Sequence, residues 1–223
     1  LEALVKREDI GIIKMEVERN ESPKEGYLQK IRKLCSDRGI VLIFDECTSG
    51  FRETYGGLHK KYGVEPDMAM FGKALGNGYA ITAVIGRRSV MEAAQSTFIS
   101  STFWTERIGP TAALKTLEVM KKEKSWERVK ITGKHISKQW KELSELSKIK
   151  IKVSGLPALT SFVFDHPLHQ FFKTYLTQET LKHGYLASTA VYVCLDHNSP
   201  ILKNYFKLLG KIFRNIAKCK NQK

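Results

Sequence analysis

Two charged groups stand at matching places in the sequence. The apolar run Ile40-Val41-Leu42-Ile43-Phe44 leads directly into Asp45-Glu46, and Met68-Ala69-Met70-Phe71 leads into Gly72-Lys73. A continuous apolar run such as 40–44 suits a strand buried on both faces, as in a parallel sheet. In open α/β sheets, ligands sit beyond the carboxyl ends of the strands. The two runs therefore deliver a carboxylate and an amine to one rim of one sheet. Asp and Lys are rarely fully buried unless paired or functional. A pair of opposite charge at that rim is the leading candidate for chemistry.

Other readings of the glycines fail on spacing. A P-loop needs glycine five residues before Gly72, where Asp67 stands, and Ser or Thr after Lys73, where Ala74 stands. Gly76-Asn77-Gly78 is not a dinucleotide fingerprint, because Ile81 holds the third glycine position. These glycines suit tight backbone turns beside a ligand. His166 and His169 form an H-x-x-H pair, but Pro167 lies between them and no third ligand is evident, so no metal site is expected. The four cysteines, Cys35, Cys47, Cys194 and Cys219, form no C-x-x-C pair. Scattered thiols of this kind read as reduced and intracellular rather than as a disulfide framework.

The elements around the charged pair alternate. Gly11 to Val17 reads as a strand. Ser22-Pro23-Lys24-Glu25 reads as a helix start, with Ser at the N-cap, Pro at N1 and Glu closing a capping box. Tyr27, Leu28, Ile31, Leu34 and Cys35 follow at helical spacing, and Gly39 is placed to end that helix. Short strands are expected over Met68 to Phe71 and Ile81 to Ile85, then a helix from Pro110 to Met120. Strand, helix, strand with buried strands points to an α/β sheet with helices on its faces.

Past Lys121 the texture changes. An amphipathic helix is expected from Ser125 to Leu146, then strands over Ile149–Val153 and Leu159–Phe164. A helix from Pro167 to His183, a strand over Ala190–Leu195 and a closing helix over Ser199–Ala217 complete the chain. This division predicts a first domain over residues 1–122 and a smaller α+β domain over residues 123–223.

The totals bound the class. The hydrophobic fraction of 42% and charged fraction of 27% are those of an ordinary globular protein. No apolar run approaches the ~18 residues that cross a bilayer, and residues 1–7 lack a signal-peptide pattern. The net charge of +14, from 37 basic and 23 acidic residues, raises the question of nucleic acid. The basic residues are spread along helical faces, as in Lys121, Lys122, Lys124, Arg128, Lys130 and Lys134, and such faces are read as solvated surface. Neither a membrane nor a nucleic acid is therefore expected as partner. The only dense basic cluster is the tail, Lys218 to Lys223.

Four segments resemble a known family. Val41-Leu-Ile-Phe-Asp-Glu-Cys-Thr-Ser-Gly-Phe-Arg-Glu-Thr-Tyr-Gly-Gly57 resembles the FDE-x-x-(T/S)-G-F-R segment of class III (subgroup II) pyridoxal-5′-phosphate (PLP) aminotransferases. Tyr62-Gly63-Val64-Glu65-Pro66-Asp67 resembles the Y-G-V-x-P-D stretch before the family's lysine. Gly72-Lys73-Ala74-Leu75-Gly76-Asn77-Gly78 is similar to the lysine motif, and Ser100-Ser101-Thr102-Phe103-Trp104 to the S-T-(F/Y) segment. The texture is nearest the glutamate-1-semialdehyde aminomutase-like branch.

The resemblance implies fold type I of the PLP-dependent transferases: residues 1–122 as the C-terminal part of the large domain, with a mostly parallel sheet, and 123–223 as the small C-terminal α+β domain. It implies PLP as cofactor, with Lys73 forming the Schiff base and shuttling protons. A free lysine has a pKa of about 10.4, so attack by it needs a depressed pKa or a nearby cation. Asp45 would pair with the ring nitrogen, Cys47 would pack on the ring where the family commonly has Val, and Thr48 would reach the phenolic oxygen. Thr102 would bind the cofactor phosphate, usually across a homodimer interface. Glu46 would hold a loop or domain interface, and Glu16 matches a structural glutamate. The implied activity is cytoplasmic transamination between a small-molecule amino donor and a carbonyl acceptor. The alternatives are an aminomutase and a non-catalytic fragment acting in assembly or binding. The family's N-terminal part, with the main phosphate loop and the stacking aromatic, has no counterpart here, and Trp104-Thr105-Glu106-Arg107 replaces a G-N-P-like stretch.

Overall fold

The computed structural model describes residues 1–6 and 9–220; the side chains of Cys219 and Lys220 and the rest of the basic tail lie outside the described set. The chain divides into two compact units, residues 1–126 and 127–223.

The first unit is built on a four-stranded sheet in the order β1-β2-β3-β4. Strands β1 (Ile12–Glu16), β2 (Val41–Asp45) and β3 (Met68–Phe71) are parallel, and β4 (Ala83–Gly86) returns antiparallel. Register places Phe44 beside Ala69, so Leu42, Phe44, Ala69 and Phe71 share one face, and all four are buried. Helix α1 (Tyr27–Arg38) packs against β2 and buries Leu28, Ile31 and Cys35. The short helix α2 (Arg88–Met91) follows β4. Ala113 of α3 (Ile108–Glu123) packs with Ala69, Phe71 and Leu75.

Two expectations fail in this unit. Strand β2 is not buried on both faces: Val41, Ile43 and Asp45 are only half-buried. The capping box does not form either. Helix α1 starts later, after Gly26 in the left-handed region at φ 71, and the Ser22 hydroxyl donates to Glu18 Oε1 at 2.7 Å instead. Glycine adopts that conformation without the Cβ penalty, so the chain turns at Gly26 rather than continuing a helix from Ser22. Gly39, at φ 65, ends α1 as expected.

The second unit packs α4 (Ser125–Ser147, from residue 127 on), the hairpin β5 (Ile151–Ser154) and β6 (Ser161–Phe164), α5 (His169–Lys182) and α6 (Ser199–Lys220). Its core is aromatic. Trp140, Phe162, Phe164, Phe172 and Phe213 are buried, and Trp140 meets Phe162 edge-on with centroids 4.8 Å apart. Helix α6 contributes Leu202, Tyr205, Leu209, Ile212, Phe213 and Ile216 at helical spacing to the same core. No strand forms over Ala190–Leu195; only an isolated bridge joins Ala190 to Ser161. The segment still donates backbone hydrogen bonds from Val191 to Thr160 and from Val193 to Ala158. Its neighbour there is the 3-10 turn Pro157–Leu159, which offers no regular ladder.

Gly133 of α4 lies against that turn. A Cβ at Gly133 would meet the Pro157 carbonyl oxygen at 1.8 Å. Helix propensity alone favours Gly133→Ala by about 1 kcal/mol. The backbone clash opposes it and wins, because overpacking against atoms that cannot rotate away costs on the order of 2 kcal/mol or more. Gly133→Ala is therefore expected to lower the urea midpoint of the second unit, and an unchanged or raised midpoint would show that the turn yields.

Candidate active site

Strands β2 and β3 are adjacent and parallel, so their carboxyl ends open on the same side. Asp45 ends β2, and Lys73 follows β3 by two residues. Asp45 is held at both oxygens. Its Oδ1 accepts the Cys47 N–H at 3.2 Å, and its Oδ2 lies 3.0 Å from Lys14 Nζ on β1. Burial pushes the Asp45 carboxyl up. The Lys14 ammonium and the backbone and side chain of Cys47 together outweigh that and hold it below the usual carboxylate range.

Lys73 stands in the left-handed region, at φ 43, at the head of the 3-10 turn Lys73–Leu75. A non-glycine residue at positive φ is uncommon and worth a functional reading. Its Nζ donates to Thr48 Oγ1 at 2.6 Å. Thr48 lies on the loop that leaves β2, so this bond ties the end of β3 to the end of β2.

Cys47 connects the two charges. Burial raises its thiol pKa, the Asp45 carboxylate raises it further, and the ammonium groups of Lys73 and Lys14 pull it down. One thiol thus feels both the carboxylate and the amine. Gly72 runs beside it; a Cβ there would stand 3.7 Å from Cys47 Sγ. Asp45, Cys47, Thr48 and Lys73 are brought together. Thr102 sits in an exposed turn, residues 102–105.

The loop from β2 is anchored by Glu46, which is fully buried. Its Oε2 accepts the Ser49 hydroxyl at 2.5 Å, and its Oε1 accepts the His59 backbone N–H at 2.9 Å. His59 Nδ1 lies 2.9 Å from the same Oε1. Burial raises the Glu46 carboxyl, but His59, Ser49 and the backbone N–H of Leu58 outweigh it and leave the pKa lowered. An ionised carboxylate only accepts, so His59 carries its hydrogen on Nδ1. Glu16, at the end of β1, is engaged with Arg19 at 3.6 Å. His166 Nδ1 accepts the Leu168 N–H at 3.1 Å and its ring rests on Phe172, just before the start of α5. Among the described residues no group of three or more His, Cys, Asp or Glu could hold a metal ion.

Sequence reasoning missed Lys14 and His59. Both act through partners far along the chain. The one available sign for Lys14 was its place two residues before Glu16 in an otherwise apolar strand.

The architecture is that of the PLP-dependent transferases, fold type I. The PLP internal aldimine form of the Sphingopyxis sp. MTA144 FumI protein matches at TM-score 0.89 and 20% identity, over 96% of this chain and 54% of that one. The class-III aminotransferase family pattern matches residues 20–192, and the chain belongs to that family. Among its relatives, a 3-aminobutyryl-CoA aminotransferase from Cloacimonas acidaminovorans is 33% identical over 181 residues, 78% of this chain and 44% of that protein. A glutamate-1-semialdehyde 2,1-aminomutase from Natranaerobius thermophilus is 27% identical over 212 residues, 87% of this chain and 49% of that protein. The chain thus spans about half the length of these relatives.

Glu46→Gln separates the loop anchor from the chemistry. A hydrogen bond to a buried charge contributes about 2 kcal/mol, so the variant is expected to lose roughly that much stability at pH 7. Because the folded pKa of Glu46 lies below the unfolded value of about 4.3, the contribution is complete above that value and is lost as pH falls through the folded pKa. Urea titrations should therefore show the gap between the two proteins narrowing below about pH 4. A constant gap would place the lost stability elsewhere.

Proposed function

We propose that this chain carries the lysine-and-carboxylate part of a PLP-dependent amino-transfer site, with a small-molecule amine as donor and a carbonyl compound as acceptor. Residues 1–122 read as the C-terminal part of the large cofactor-binding domain and 123–223 as the small domain, a division supported by the compact units 1–126 and 127–223. The observation that carries the reading is geometric: Asp45 ends β2, and Lys73, two residues past the adjacent parallel β3, donates to Thr48 Oγ1 on the loop that leaves β2. PLP needs an amine for its aldehyde and a carboxylate for its ring nitrogen, and these two groups meet that requirement.

When bound, PLP supplies an electron-withdrawing ring that stabilises negative charge at the substrate carbon. The chain's own residues do the rest. Lys73 Nζ would hold the cofactor aldehyde and move a proton. Thr48 Oγ1 receives the Lys73 amine and so sets its direction. Asp45 stays ionised and receives the ring nitrogen. Cys47, small and mostly apolar in character, packs against the ring. Glu46, through Ser49 and His59, keeps the loop rigid beneath them.

Thr102 belongs to the proposal as a hydroxyl donor for the cofactor phosphate in a homodimer. Its exposure, beside the exposed Phe103 and Trp104, supports a role toward a second subunit. Cytoplasmic location is also part of the reading, supported by the free thiols of Cys35, Cys47 and Cys194. Among the described residues no helix is long and apolar enough to cross a membrane. Relatives named as glutamate-1-semialdehyde 2,1-aminomutases favour a second reading, in which the same lysine moves an amine within one substrate.

The test is chemical. The chain is incubated with PLP, reduced with borohydride and digested for mass spectrometry. The pyridoxyl mass is expected on Lys73 and lost in Lys73→Ala. Labelling on another lysine, or equal labelling of wild type and variant, would overturn the site assignment. No labelling at all, with association to another polypeptide, would favour an assembly role.

A further inference from the structure

Lys14 is a charged residue in the middle of β1, outside every segment that resembles the family, and it holds one oxygen of Asp45. Parallel pairing sets Lys14 beside Ile43 and Glu16 beside Asp45. Alternation along the strands then places Lys14, Glu16, Ile43 and Asp45 on one face of the sheet. Glu16 is nearer to Asp45 in register, yet it is engaged with Arg19. Lys14 instead reaches diagonally across the strands, and its Nζ stands 3.0 Å from Asp45 Oδ2. The lysine side chain is half exposed, 51%, and the carboxylate only 25%.

The other groups facing that carboxylate are few. The Cys47 N–H takes Oδ1, and the Cys47 thiol lies beside it. The Lys73 ammonium acts on the same thiol but is tied to Thr48 Oγ1. A carboxylate has about four lone-pair sites. With Cys47 on one oxygen and Lys14 on the other, Asp45 is fixed in place and still has acceptor capacity for a further donor.

We propose that Lys14 is a positioning residue of this site: it fixes the Asp45 carboxylate and, as a second cation upon it, lowers the proton affinity of the pyridine nitrogen that Asp45 receives. The proposal rests on the PLP reading above and extends it to a residue outside the motifs. A carboxylate shared with an ammonium group stabilises a pyridinium less than a carboxylate that is free, because the two cations repel. Lys14 is half exposed, so solvent screens it, and the effect belongs at the low end of like-charge shifts, about one pKa unit or tenfold in proton affinity. A ring nitrogen protonated for less of the time withdraws electrons less strongly. Lys14 would thereby set how strong an electron sink the site provides.

Lys14→Met removes the charge and keeps the stem, Lys14→Arg keeps the charge, and Lys14→Gln is carried in parallel in case the methionine variant does not fold. Two signals are followed by NMR in the full chain. One is the pH titration of the Asp45 side-chain carbon without cofactor. The other is the ring nitrogen shift of ¹⁵N-labelled PLP bound to each protein. The neutral variants are expected to raise the Asp45 midpoint by about one unit and to move the ring nitrogen toward its protonated shift. Lys14→Arg is expected to match wild type in both. An Asp45 midpoint that stays put in a folded neutral variant overturns the inference. So does a ring signal indifferent to the substitution while PLP is mapped to Lys73, and that outcome leaves the site assignment standing. A wild-type chain that takes no PLP onto Lys73 overturns the site assignment, and the ring-nitrogen role of Lys14 with it.

Discussion

The carboxylate of Asp67 holds together the strands on which the site depends. Its Oδ2 accepts the Leu42 N–H at 2.8 Å, and its own N–H donates to the Leu42 carbonyl at 2.9 Å. Arg32 of α1 reaches the same Oδ2 at 2.8 Å, and Arg87, just past β4, lies 3.1 Å from Oδ1. One residue at the entrance to β3 therefore fixes β2, α1 and the end of β4. Burial pushes its carboxyl up, but the Leu42 N–H, Arg32 and Arg87 outweigh that and leave its pKa lowered. The consequence is a register. A slip of one residue between β2 and β3 would put Asp45 and Met70, now paired, on opposite faces of the sheet.

Much of this was legible because it is local. The run 40–44 ending in Asp45, the run 68–71 ending in Gly72-Lys73 and the Gly39 cap are all features of neighbours in sequence. Helices α4 and α6 were also legible, since their apolar residues repeat at the helical period over more than twenty residues. The errors came where a local signal met a tertiary competitor. Ser22 has the chemistry of an N-cap, but Glu18 takes its hydroxyl and Gly26 supplies the turn. Val191 and Val193 have strand propensity, but they bond to Thr160 and Ala158, just after and within a 3-10 turn, rather than to a strand. The apolar character of Val41 and Ile43 suggested burial on both faces, yet only Leu42 and Phe44 are fully buried.

Lys14 and His59 were illegible for a different reason. Neither has a motif, and the pairing that gives each its meaning spans many residues: 31 between Lys14 and Asp45, 13 between His59 and Glu46. Spacing in one sequence cannot show such a pair, because the register of β1 on β2 must be known first. Once Ile12 is set beside Val41, the placement of Lys14 on the Asp45 face follows without further information.

Asp45 and Glu46 show how alternation assigns different work to adjacent carboxylates. Successive strand residues point to opposite faces. Asp45 points to the half-buried face, where a cation and a backbone N–H hold it and acceptor capacity remains. Glu46 points inward, where Ser49 and His59 occupy both oxygens and no solvent reaches it. Both are held ionised against the cost of burial, but only Asp45 can receive a ligand. Glu46 cannot exchange a partner without leaving a buried charge uncompensated, a change that is strongly destabilising. The site therefore has an accessible charge resting on an inaccessible one. Its geometry is set by Glu46, and its electrostatics by whatever shares Asp45, which in this fold is Lys14.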